Sequence, residues 1–519
     1  MKYAVDTREM RLIEDYTINQ AGIPALELME HAALAFVNIL VGSIRKDDRI
    51  CVVCGKGNNG GDGAAIARLL FLQGYKVSIY VPHLEMNNES NSSGSLLDLQ
   101  LDLASKLGVT IENRSKLSEY NIIIDAIFGI GLSRTVSGIY EQVINEINEN
   151  DNMVFSVDIP SGVSADNGKV YNVAVKADQT ITFGYMKKGL LLYPGAEYAG
   201  KITVADIGLS KEAAFHVKPE AFYYETEDLK LLPARKNYSS KGTFGKVLVI
   251  AGSKGMAGAA YMSAKAAYRT GAGLVKVLTC EENRVIIQSM LPEALFAAYD
   301  EEDLCLESGS DRLQKDLKWA SVIVIGPGLG RTEIASKLLF RVLNEAEVPV
   351  IIDADAINVL SASLDASCQN DPDNRLKQLA SYLKQGTVIT PHLMELCRLT
   401  SIPISDIRDN LIDTASTCSY NNEIIYVIKD ARTVIAYKGQ YYINCSGNNG
   451  MATGGSGDVL TGIIAALIAQ GMSPYEASCL GVYIHGLAGD EAARKKSSYS
   501  MMATDIIEAI GKVIKGINQ

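Results

Sequence analysis

Short apolar runs alternate with amphipathic stretches along most of the chain. Residues 7–40 have helical periodicity, with Thr7 as the predicted N-cap and a break at residues 22–24, Gly-Ile-Pro. Apolar runs of strand length follow at residues 49–54, 76–81, 122–127 and 153–157. Helical stretches such as residues 64–73 lie between some of these runs, and this alternation predicts a parallel α/β sheet.

A second series of apolar runs begins near residue 246. Strands are predicted at residues 246–251, 274–279, 321–325, 349–353, 387–390 and 424–428, and amphipathic helices follow several of them. Between the two series lies a polar and mixed stretch, residues 210–241, with few strong patterns. We therefore predict two α/β domains, residues 1–225 and 226–519.

Composition narrows the class of protein. The chain has 519 residues, of which 47% are hydrophobic and 21% charged, enough apolar material for two cores. A net charge of −11 argues against a nucleic-acid partner, but backbone N–H groups can still bind an anionic dinucleotide locally. The longest apolar stretch, residues 459–469, is too short to span a membrane, and the charged start lacks a signal-peptide pattern. We expect a cytoplasmic protein without a membrane partner.

The nine cysteines do not suggest a disulfide framework in so long a chain. Cys51 and Cys54 form a C-x-x-C, but both lie inside a predicted strand. Residues three apart in a strand point to opposite faces. We therefore expect two buried thiols that share neither a metal nor a disulfide.

A glycine-rich loop, residues 55–63 (GKGNNGGDG), follows the first of these strands and opens a helix. Its G-x-G-x-x-G lets backbone N–H groups approach a pyrophosphate at the helix N-terminus. That fingerprint alone is weak, because it usually comes with an acidic residue at the end of the second strand. Here the second strand ends in Pro82-His83, which disfavours a hydride-transferring dehydrogenase.

Three further segments lie at predicted strand ends: residues 125–131, 158–162 and 178–184. Carboxylates at the carboxyl ends of parallel strands gather over the ligand crevice. Asp125 or Asp158 taken alone is as readily explained as a loop or helix cap. Together with the glycine loop, the segments favour a site.

These motifs resemble the YjeF N-terminal family, the epimerase domain that acts on NAD(P)H hydrates. The resemblance covers roughly residues 1–220 through GNNGGDG, DAIFGIGLSR, SVDIPSGVSADNG and ADQTITFG. It implies a Rossmann-like three-layer sandwich and a potassium ion on Asn59, Asp125 and Ser161, oxygen ligands that suit a hard cation. It also implies substrate contacts at Asn58, Asn59, Gly60, Gly61, Asp62, Gly129, Ile130, Gly131, Leu132, Ser133, Arg134, Thr135, Tyr140 and Asp158.

The implied chemistry is reversible inversion at the hydrated carbon of the nicotinamide ring. A carboxylate is a suitable acid or base for this step, and we expect Asp158 to fill the role, with Asp62 as a second candidate. Two positions depart from the family pattern, which has Thr at Ile130 and Asn at His31. His31 lies on an apolar predicted helix and is interpreted as a packing residue.

A second glycine-rich segment, residues 448–458 (NNGMATGGSGD), precedes an apolar helix at 459–469. Such a turn at a helix N-terminus forms an anion hole from backbone N–H groups. Asp458 at its end can take a proton from a hydroxyl that attacks phosphorus. A plain tight turn with Asp as N-cap is the alternative, but it needs only one or two such residues.

Supporting pieces recur at successive predicted strand ends: residues 245–260, 326–330, 353–356, 390–392 and 429–433. Lys429 or Arg432 can clamp a phosphate. A solvated surface charge would be the ordinary interpretation of either alone, and the repeated pieces weigh against it.

These blocks resemble the ADP- or ATP-dependent NAD(P)H-hydrate dehydratases, a family with a ribokinase-like fold. The resemblance covers roughly residues 236–515 through KGTFGKVLVIAGS, GAGLVKV, GPGLG, DADAINVL and MATGGSGDVLTGIIAALIAQG. It implies substrate contacts at Ala259, Gly328, His392 and Asp458, and nucleotide contacts at Lys429, Asp430, Ala431, Arg432, Thr433 and Gly457. It also implies ADP as co-substrate with Mg²⁺, and a homo-oligomer, tetrameric or octameric. The family has Pro-Gly at Leu393-Met394 and Gly at Asp430, departures that bear on nucleotide affinity and on the choice between ADP and ATP.

Together the resemblances imply epimerisation of R and S hydrates of NADH and NADPH, then dehydration of the S form. Asp458 would activate the ring hydroxyl for phosphorylation, after which phosphate leaves. Two alternatives stay open. One is a ribokinase-like kinase of a small alcohol fused to a dinucleotide-binding module, since fold analogy can mislead. The other is an N-terminal domain that binds without catalysis.

Overall fold

The computed structural model describes residues 1–82, 95–113, 116–299, 312–364, 371–420 and 422–515. His83, at the end of the second predicted strand, lies outside the described residues. The chain divides into two compact units, Tyr3–Ala221 and Met1–Lys2 with Phe222–Gln519. No helix in the described ranges is long and apolar enough to cross a membrane.

The N-terminal unit is built on a parallel sheet of seven strands. Along this part of the chain the structure has the strands β1 (Lys2–Val5), β2 (Arg49–Cys54), β3 (Lys76–Tyr80), β4 (Thr110–Glu112), β5 (Ile122–Ala126), β6 (Met153–Val157), β7 (Gln179–Phe183), β8 (Met186–Lys187) and β9 (Lys201–Ala205), seven of which form the sheet. The seven-stranded order is β4-β3-β2-β5-β6-β7-β9, and β1 pairs in parallel with β8. The helices are α1 (Thr7–Asn19), α2 (Ala25–Leu40), α3 (Asn58–Leu72), α4 (Leu96–Leu107), α5 (Ile139–Glu149), α6 (Lys188–Leu191), α7 (Gly195–Tyr198) and α8 (Lys211–Val217).

Both faces of this sheet are buried, which makes a three-layer sandwich. Side chains of α2, α3 and α4 form one apolar core with the sheet, and α5 contributes to a second core. Cys54 lies in the first core and Cys51 in the second, and neither forms a disulfide. The prediction that their side chains point to opposite faces is confirmed.

The direction of strand addition reverses between β2 and β5. From β2 the chain adds β3 and β4 on one side, and from β5 it adds β6, β7 and β9 on the other. In such sheets ligands bind beyond the carboxyl ends of the strands at this switch point. The glycine loop after β2 and the Asp125 segment at the end of β5 meet there.

The C-terminal unit is a second α/β domain. Its strands are β10 (Ala221–Tyr223), β11 (Lys246–Ile250), β12 (Leu274–Thr279), β13 (Leu295–Ala298), β14 (Val322–Ile325), β15 (Val350–Ile352), β16 (Val388–Ile389), β17 (Ile425–Ile428), β18 (Val434–Tyr437) and β19 (Gln440–Ile443). Its helices are α9 (Ala257–Arg269), α10 (Arg284–Met290), α11 (Arg312–Trp319), α12 (Glu333–Glu345), α13 (Asp355–Ala362), α14 (Pro372–Tyr382), α15 (Leu393–Thr400), α16 (Ile404–Asp409), α17 (Leu411–Ser419), α18 (Ser456–Ala469), α19 (Pro474–Lys496) and α20 (Ala503–Lys515).

Strands β13-β12-β11-β14-β15-β16-β17 run in parallel, and β18 and β19 extend the sheet in antiparallel fashion. The switch point lies between β11 and β14. Connections between parallel strands are right-handed. Helices therefore lie on one face of the sheet where strands are added in one direction, and on the opposite face where strands are added in the other direction. The predicted α/β class of both domains is confirmed.

Two local predictions are wrong. The N-cap of α1 is Asp6 rather than Thr7: its side chain accepts from Glu9 N at 2.8 Å, and Glu9 accepts from Asp6 N at 2.9 Å. The segment at 178–184 is strand β7 itself, so Asp178 lies at the amino end, away from the crevice. There its carboxylate accepts from Val154 N at 2.8 Å and links neighbouring strands.

Candidate active sites

A buried oxygen-rich cluster lies at the end of β5. Asp125 is fully buried and accepts from Ser161 Oγ at 2.5 Å, Ser161 N at 2.8 Å and Ser156 Oγ at 2.8 Å. Burial raises the Asp125 pKa, and these hydrogen bonds oppose the rise. Phe128 N donates to Ser161 Oγ at 2.8 Å, which ties the loop after β5 to the loop after β6.

Asn59 completes this group from the first turn of α3. A Cβ at Gly129 would lie 3.2 Å from Asn59 Cβ, a tight contact, so glycine favours the close approach of the two loops. Asn59 is buried and its Nδ2 atom has no hydrogen-bond partner in the structure. A buried amide in that state is costly unless a ligand satisfies the group, or the amide turns its oxygen inward.

Asp158 follows β6 in a backbone conformation that is rare for a residue with a side chain, φ +66°. Its Oδ1 atom accepts from Phe183 N at 2.9 Å, from Thr182 Oγ1 at 3.1 Å and from the ammonium of Lys187. Lys187 is fully buried and also donates to Phe183 O at 2.8 Å. Backbone strain concentrates at functional sites, and here it fixes a carboxylate beside a buried cation.

Asp62 and Glu14 face the same cavity as Asp158. The cavity has a volume of about 660 Å³ and is lined by all three carboxyl groups. Burial raises the pKa of Asp62 well above its usual range, helped by the negative charges of Asp158 and Glu14 and opposed by Lys187. Burial, with the charge of Asp158, also raises the Glu14 pKa. Raised pKa values let carboxyl groups hold protons closer to neutral pH, as proton donors need to do.

Most of the substrate contacts predicted for this domain line the cavity: Asn58, Asn59, Asp62, Gly129, Ile130, Gly131, Leu132, Ser133, Arg134, Tyr140 and Asp158. The buried Tyr140 hydroxyl has no hydrogen-bond partner in the structure. Gly60, Gly61 and Thr135 are not among the lining residues. Gly60 packs on the Gly55 backbone and Gly61 on Met29, where a Cβ would clash.

Sequence reasoning missed Glu14 and Lys187. Glu14 lies on α1, remote in sequence from the motifs, and Lys187 lies on β8, just after the motif at 177–184; only the tertiary fold brings them to Asp158. His31, interpreted as a packing residue, lies on α2 with its ring near Gly208, and Ile130 accepts from Thr7 Oγ1 at 3.1 Å through its carbonyl.

In the C-terminal unit, Asp458 lies in the first turn of α18, whose N-cap is Gly455 in the left-handed region. Burial raises the Asp458 pKa to about 7, with the charges of Asp353 and Asp355 adding to the rise and Lys429 opposing it. A carboxyl that titrates near neutral pH beside free helix N–H groups suits a general base for phosphoryl transfer.

Asp353 and Lys429 form a buried ion pair beside this helix. Lys429 Nζ donates to Asp353 Oδ1 at 2.6 Å, and Thr390 Oγ1 donates to the same atom at 2.6 Å. Burial alone would lower the Lys429 pKa, but Asp353, Glu395 and Asp458 raise it above its usual value. A Cβ at Gly457 would lie 3.3 Å from Lys429 Nζ, so the missing side chain leaves room at the ammonium.

His392 is the N-cap of α15. Its Nδ1 atom accepts from Met394 N at 3.1 Å and Glu395 N at 3.2 Å, which leaves Nε2 as the protonated nitrogen of the neutral ring. Burial and the charges of Lys429 and Arg398 lower its pKa. Leu393 is buried at the first helical position, where proline is also accepted, and the Met394 side chain is exposed.

Gly328 and Ala259 meet at the switch point of this sheet. Gly328 has φ +58°, and a Cβ there would lie 2.9 Å from Ala259 Cβ. Ser253 Oγ donates to Gly328 O at 3.0 Å and holds the two loops together. The fold thus brings these two predicted substrate contacts side by side.

The predicted nucleotide contacts at 429–433 form the loop of the β17–β18 hairpin. Asp430 and Ala431 are exposed, and Arg432 and Thr433 are half-buried. His485 lies behind the glycine loop, with Nε2 3.3 Å from Ser456 Oγ, and burial lowers its pKa to about 4. It is therefore a neutral packing residue.

Two family models match the chain. The NAD(P)H-hydrate dehydratase family matches residues 247–512, and the YjeF-related protein N-terminus matches residues 25–189. Curated relatives are similar over nearly the whole length. The bifunctional NAD(P)H-hydrate repair enzyme of Coxiella burnetii is 35% identical over 98% of this chain and 98% of its own. That of Moorella thermoacetica is 34% identical over 100% of this chain and 97% of its own.

This chain belongs to the bifunctional NAD(P)H-hydrate repair enzyme family. Membership confirms the predicted pairing of an NAD(P)H-hydrate epimerase domain with an NAD(P)H-hydrate dehydratase domain, over the small-alcohol kinase. Solved structures are also similar to part of this chain. The ADP/ATP-dependent NAD(P)H-hydrate dehydratase of Bacillus subtilis, co-crystallised with ATP and Mg²⁺, is 28% identical with a TM-score of 0.48. It covers 57% of this chain and 98% of its own. A ribokinase-like superfamily protein of Enterococcus faecalis is 31% identical over 57% of this chain and 96% of its own, with a TM-score of 0.49.

Proposed function

We propose that residues 1–225 interconvert the R and S hydrates of NADH and NADPH, and that residues 226–519 dehydrate the S form with ADP. The observation that carries the proposal is Asp458, with a pKa of about 7 at the N-terminus of a glycine-led helix and beside Lys429 and Asp353. This is the arrangement that proton removal from an attacking hydroxyl requires.

In the epimerase domain, inversion proceeds by loss and re-addition of water at the hydrated ring carbon. Asp62 or Glu14 gives a proton to the departing hydroxyl as the ring nitrogen donates its electron pair to carbon. Water then adds to either face and returns its proton to a carboxylate. Asp158, held by Lys187 and by Phe183 N, is the base for one face.

The oxygen donors around Asn59 fit a potassium ion. Asp125, Ser161 and the amide oxygen of Asn59 are the ligands we propose, and the orphaned Asn59 Nδ2 supports an amide that turns on binding. The ion would supply positive charge that holds the loops after β5 and β6 in place.

In the dehydratase domain, Asp458 takes the proton of the ring hydroxyl as its oxygen attacks the β-phosphorus of ADP, giving a phosphate ester and AMP. The ester then loses phosphate together with a neighbouring ring proton, which restores the dihydronicotinamide. Lys429 and the N–H groups around Gly457 are the proposed partners of the transferred phosphoryl group. Mg²⁺ bound to the nucleotide phosphates would neutralise their charge.

Asp430 is exposed in the hairpin loop. Its carboxylate adds a negative charge near the nucleotide, and we propose that this disfavours ATP, which carries one phosphate more than ADP. We also propose a cytoplasmic homo-oligomer, tetrameric or octameric, which sedimentation of the purified chain will test.

The experiment supplies the purified chain with both epimers of hydrated NADH, Mg²⁺, K⁺ and either ADP or ATP, and follows the return of NADH absorbance. We expect both epimers to be converted to NADH, at a higher rate with ADP than with ATP. When a larger organic cation replaces K⁺, we expect the R epimer to be converted more slowly. If only the S epimer were converted and the R epimer remained, the N-terminal domain would bind the substrate without catalysing its epimerisation. Absence of NADH with either nucleotide would refute the dehydratase assignment.

A further inference from the structure

The C-terminal unit has a cleft, about 850 Å³ in volume, between the helices α12, α13, α14 and α15. Three arginines line it: Arg331, Arg375 and Arg398. We call it the arginine cleft. Among its described lining residues the only carboxylate is Glu333, which Lys337 pairs at 2.8 Å. The cleft is therefore locally cationic in a chain whose net charge is −11.

Arg375 is the buried member of the group, with 5% of its surface exposed. Its Nε donates to Leu399 O at 2.9 Å, and its Nη2 donates to Ser361 O at 3.1 Å and Arg398 O at 2.9 Å. These carbonyls belong to the last turns of α13 and α15, where the helix dipole favours a cation. The dipoles explain how the guanidinium is buried although it pairs with no carboxylate among the described residues.

Helix capping leaves one donor of Arg375 unused. Its Nη1 atom is buried and has no hydrogen-bond partner in the structure. An unsatisfied charged donor inside a protein costs more than a neutral one, so a native structure normally supplies a partner. Arg375 lines the cleft, so a small movement of its guanidinium would present Nη1 to an anion bound there.

The other two arginines, Arg331 and Arg398, make few contacts with other side chains of the described residues. Arg398 is exposed and its Nη1 donates to the neutral amide oxygen of Asn358 at 2.8 Å. Arg331 is also exposed, and its Nε lies 3.4 Å from Asp355 Oδ1. Guanidinium groups with free edges are suited to bidentate contacts with phosphate.

The arginine cleft borders the dehydratase site. Arg331 follows the Gly328 loop, and Arg398 lies on α15, whose N-cap is His392. The charge of Arg398 reaches His392, whose pKa it helps to lower. Gly328 and His392 are two of the four predicted substrate contacts of this domain, so a long substrate bound there has charged groups within reach of the cleft.

We propose that the arginine cleft binds a phosphate group. Its source is the hydrated dinucleotide, through the diphosphate or the 2′-phosphate of the NADP form, or else the inorganic phosphate that the reaction releases. The dinucleotide source rests on the proposed function, whereas binding of phosphate itself does not.

The test compares Arg398→Gln with Arg408→Gln, which removes the same charge from the exposed face of α16, outside the cleft lining. KM and kcat of dehydration are measured for hydrated NADH and hydrated NADPH. The rise in Tm produced by inorganic phosphate is measured on the same full-length samples, because a ligand of the folded state stabilises it. Arg375 is not substituted, since its loss would leave three helix carbonyls without their donor.

A tenfold rise in KM for both substrates in Arg398→Gln, with kcat retained, identifies the diphosphate, because lost uniform binding raises KM alone. A rise for hydrated NADPH only identifies the 2′-phosphate. Unchanged KM values with a lost phosphate-induced Tm rise identify released phosphate. The inference is overturned if Arg398→Gln matches Arg408→Gln in every measurement. A wild-type chain that does not dehydrate the substrate would refute the proposed function instead. The comparison of phosphate-induced Tm rises would still test whether the arginine cleft binds phosphate.

Discussion

Identical side chains acquire different roles here through their surroundings. Asp158 lies in an ion pair with a fully buried lysine and accepts a backbone N–H. Asp62, in the same cavity, is pushed toward its protonated form by burial and by two neighbouring carboxylates. Carboxyl groups whose environments differ in this way are the usual mark of an acid and base pair.

Asp458 gives a pH prediction with a definite sign. Its folded pKa is about 7, above its usual value near 3.8, because burial and Asp353 disfavour the charged form. The base form is therefore populated only above this pH, and kcat/KM of dehydration should fall about tenfold per pH unit below it. A profile measured from pH 5 to 9 that stays flat through 7 would exclude Asp458 as the base.

The same shift predicts the stability of a variant. Between the usual pKa of 3.8 and the folded pKa of about 7 the native state holds the Asp458 proton more tightly than the unfolded chain, so stability falls as the pH rises through this range and stays reduced above it. Asp458→Asn removes that penalty. We expect it to raise the free energy of unfolding by about 1 kcal/mol or more at pH 8 and to have no such effect near pH 4. Denaturant unfolding at both pH values measures the difference.

At the scale of elements, the sequence predicts long apolar strands well. Strands β2, β6 and β12 have the predicted bounds, because short, mainly apolar runs that contain valine leave few alternatives. The hairpin β18–β19 was not predicted, since its strands mix tyrosine with polar residues around the turn at Gly439. The role assigned to 178–184 failed because a strand and its end loop look alike in a short apolar segment.

Site residues that lie in motifs were also predictable, and those supplied by distant elements were not. The glycine loops and the aspartates at strand ends can be identified from their spacing in the sequence. Glu14 occupies one position of an amphipathic helix, where it is indistinguishable from a surface carboxylate. Only the packing of α1 reveals that it faces the cavity and that its neighbour Asp15 is exposed.

Helix α1 therefore offers a matched pair of variants. Glu14→Gln should slow epimerisation at least tenfold, because it removes a proton donor from the cavity wall. Asp15→Asn makes the same kind of change one residue away on the exposed face and should leave the rate within twofold. The measurement is the rate of R-to-S conversion at saturating dehydratase. Equal rates for the two variants would remove Glu14 from the mechanism.

At the scale of the whole molecule, each compact unit carries one of the two proposed activities. Each unit has its own switch point, with a carboxylate cluster beyond the strand ends. The net charge of −11 does not prevent binding of anionic substrates, because helix N-termini and individual cations act locally. The two activities should therefore be separable by single substitutions.

The most direct test of this claim uses Asp158→Asn and Asp458→Asn, each given both epimers of hydrated NADH with ADP, Mg²⁺ and K⁺. Asp158→Asn should convert the S epimer and then stop, its dehydration serving as evidence that the chain is folded. Asp458→Asn should equilibrate the epimers without forming NADH, and an equal mixture of the two variants should convert everything. Conversion of both epimers by Asp158→Asn at the wild-type rate, or NADH formation by Asp458→Asn, would contradict the account.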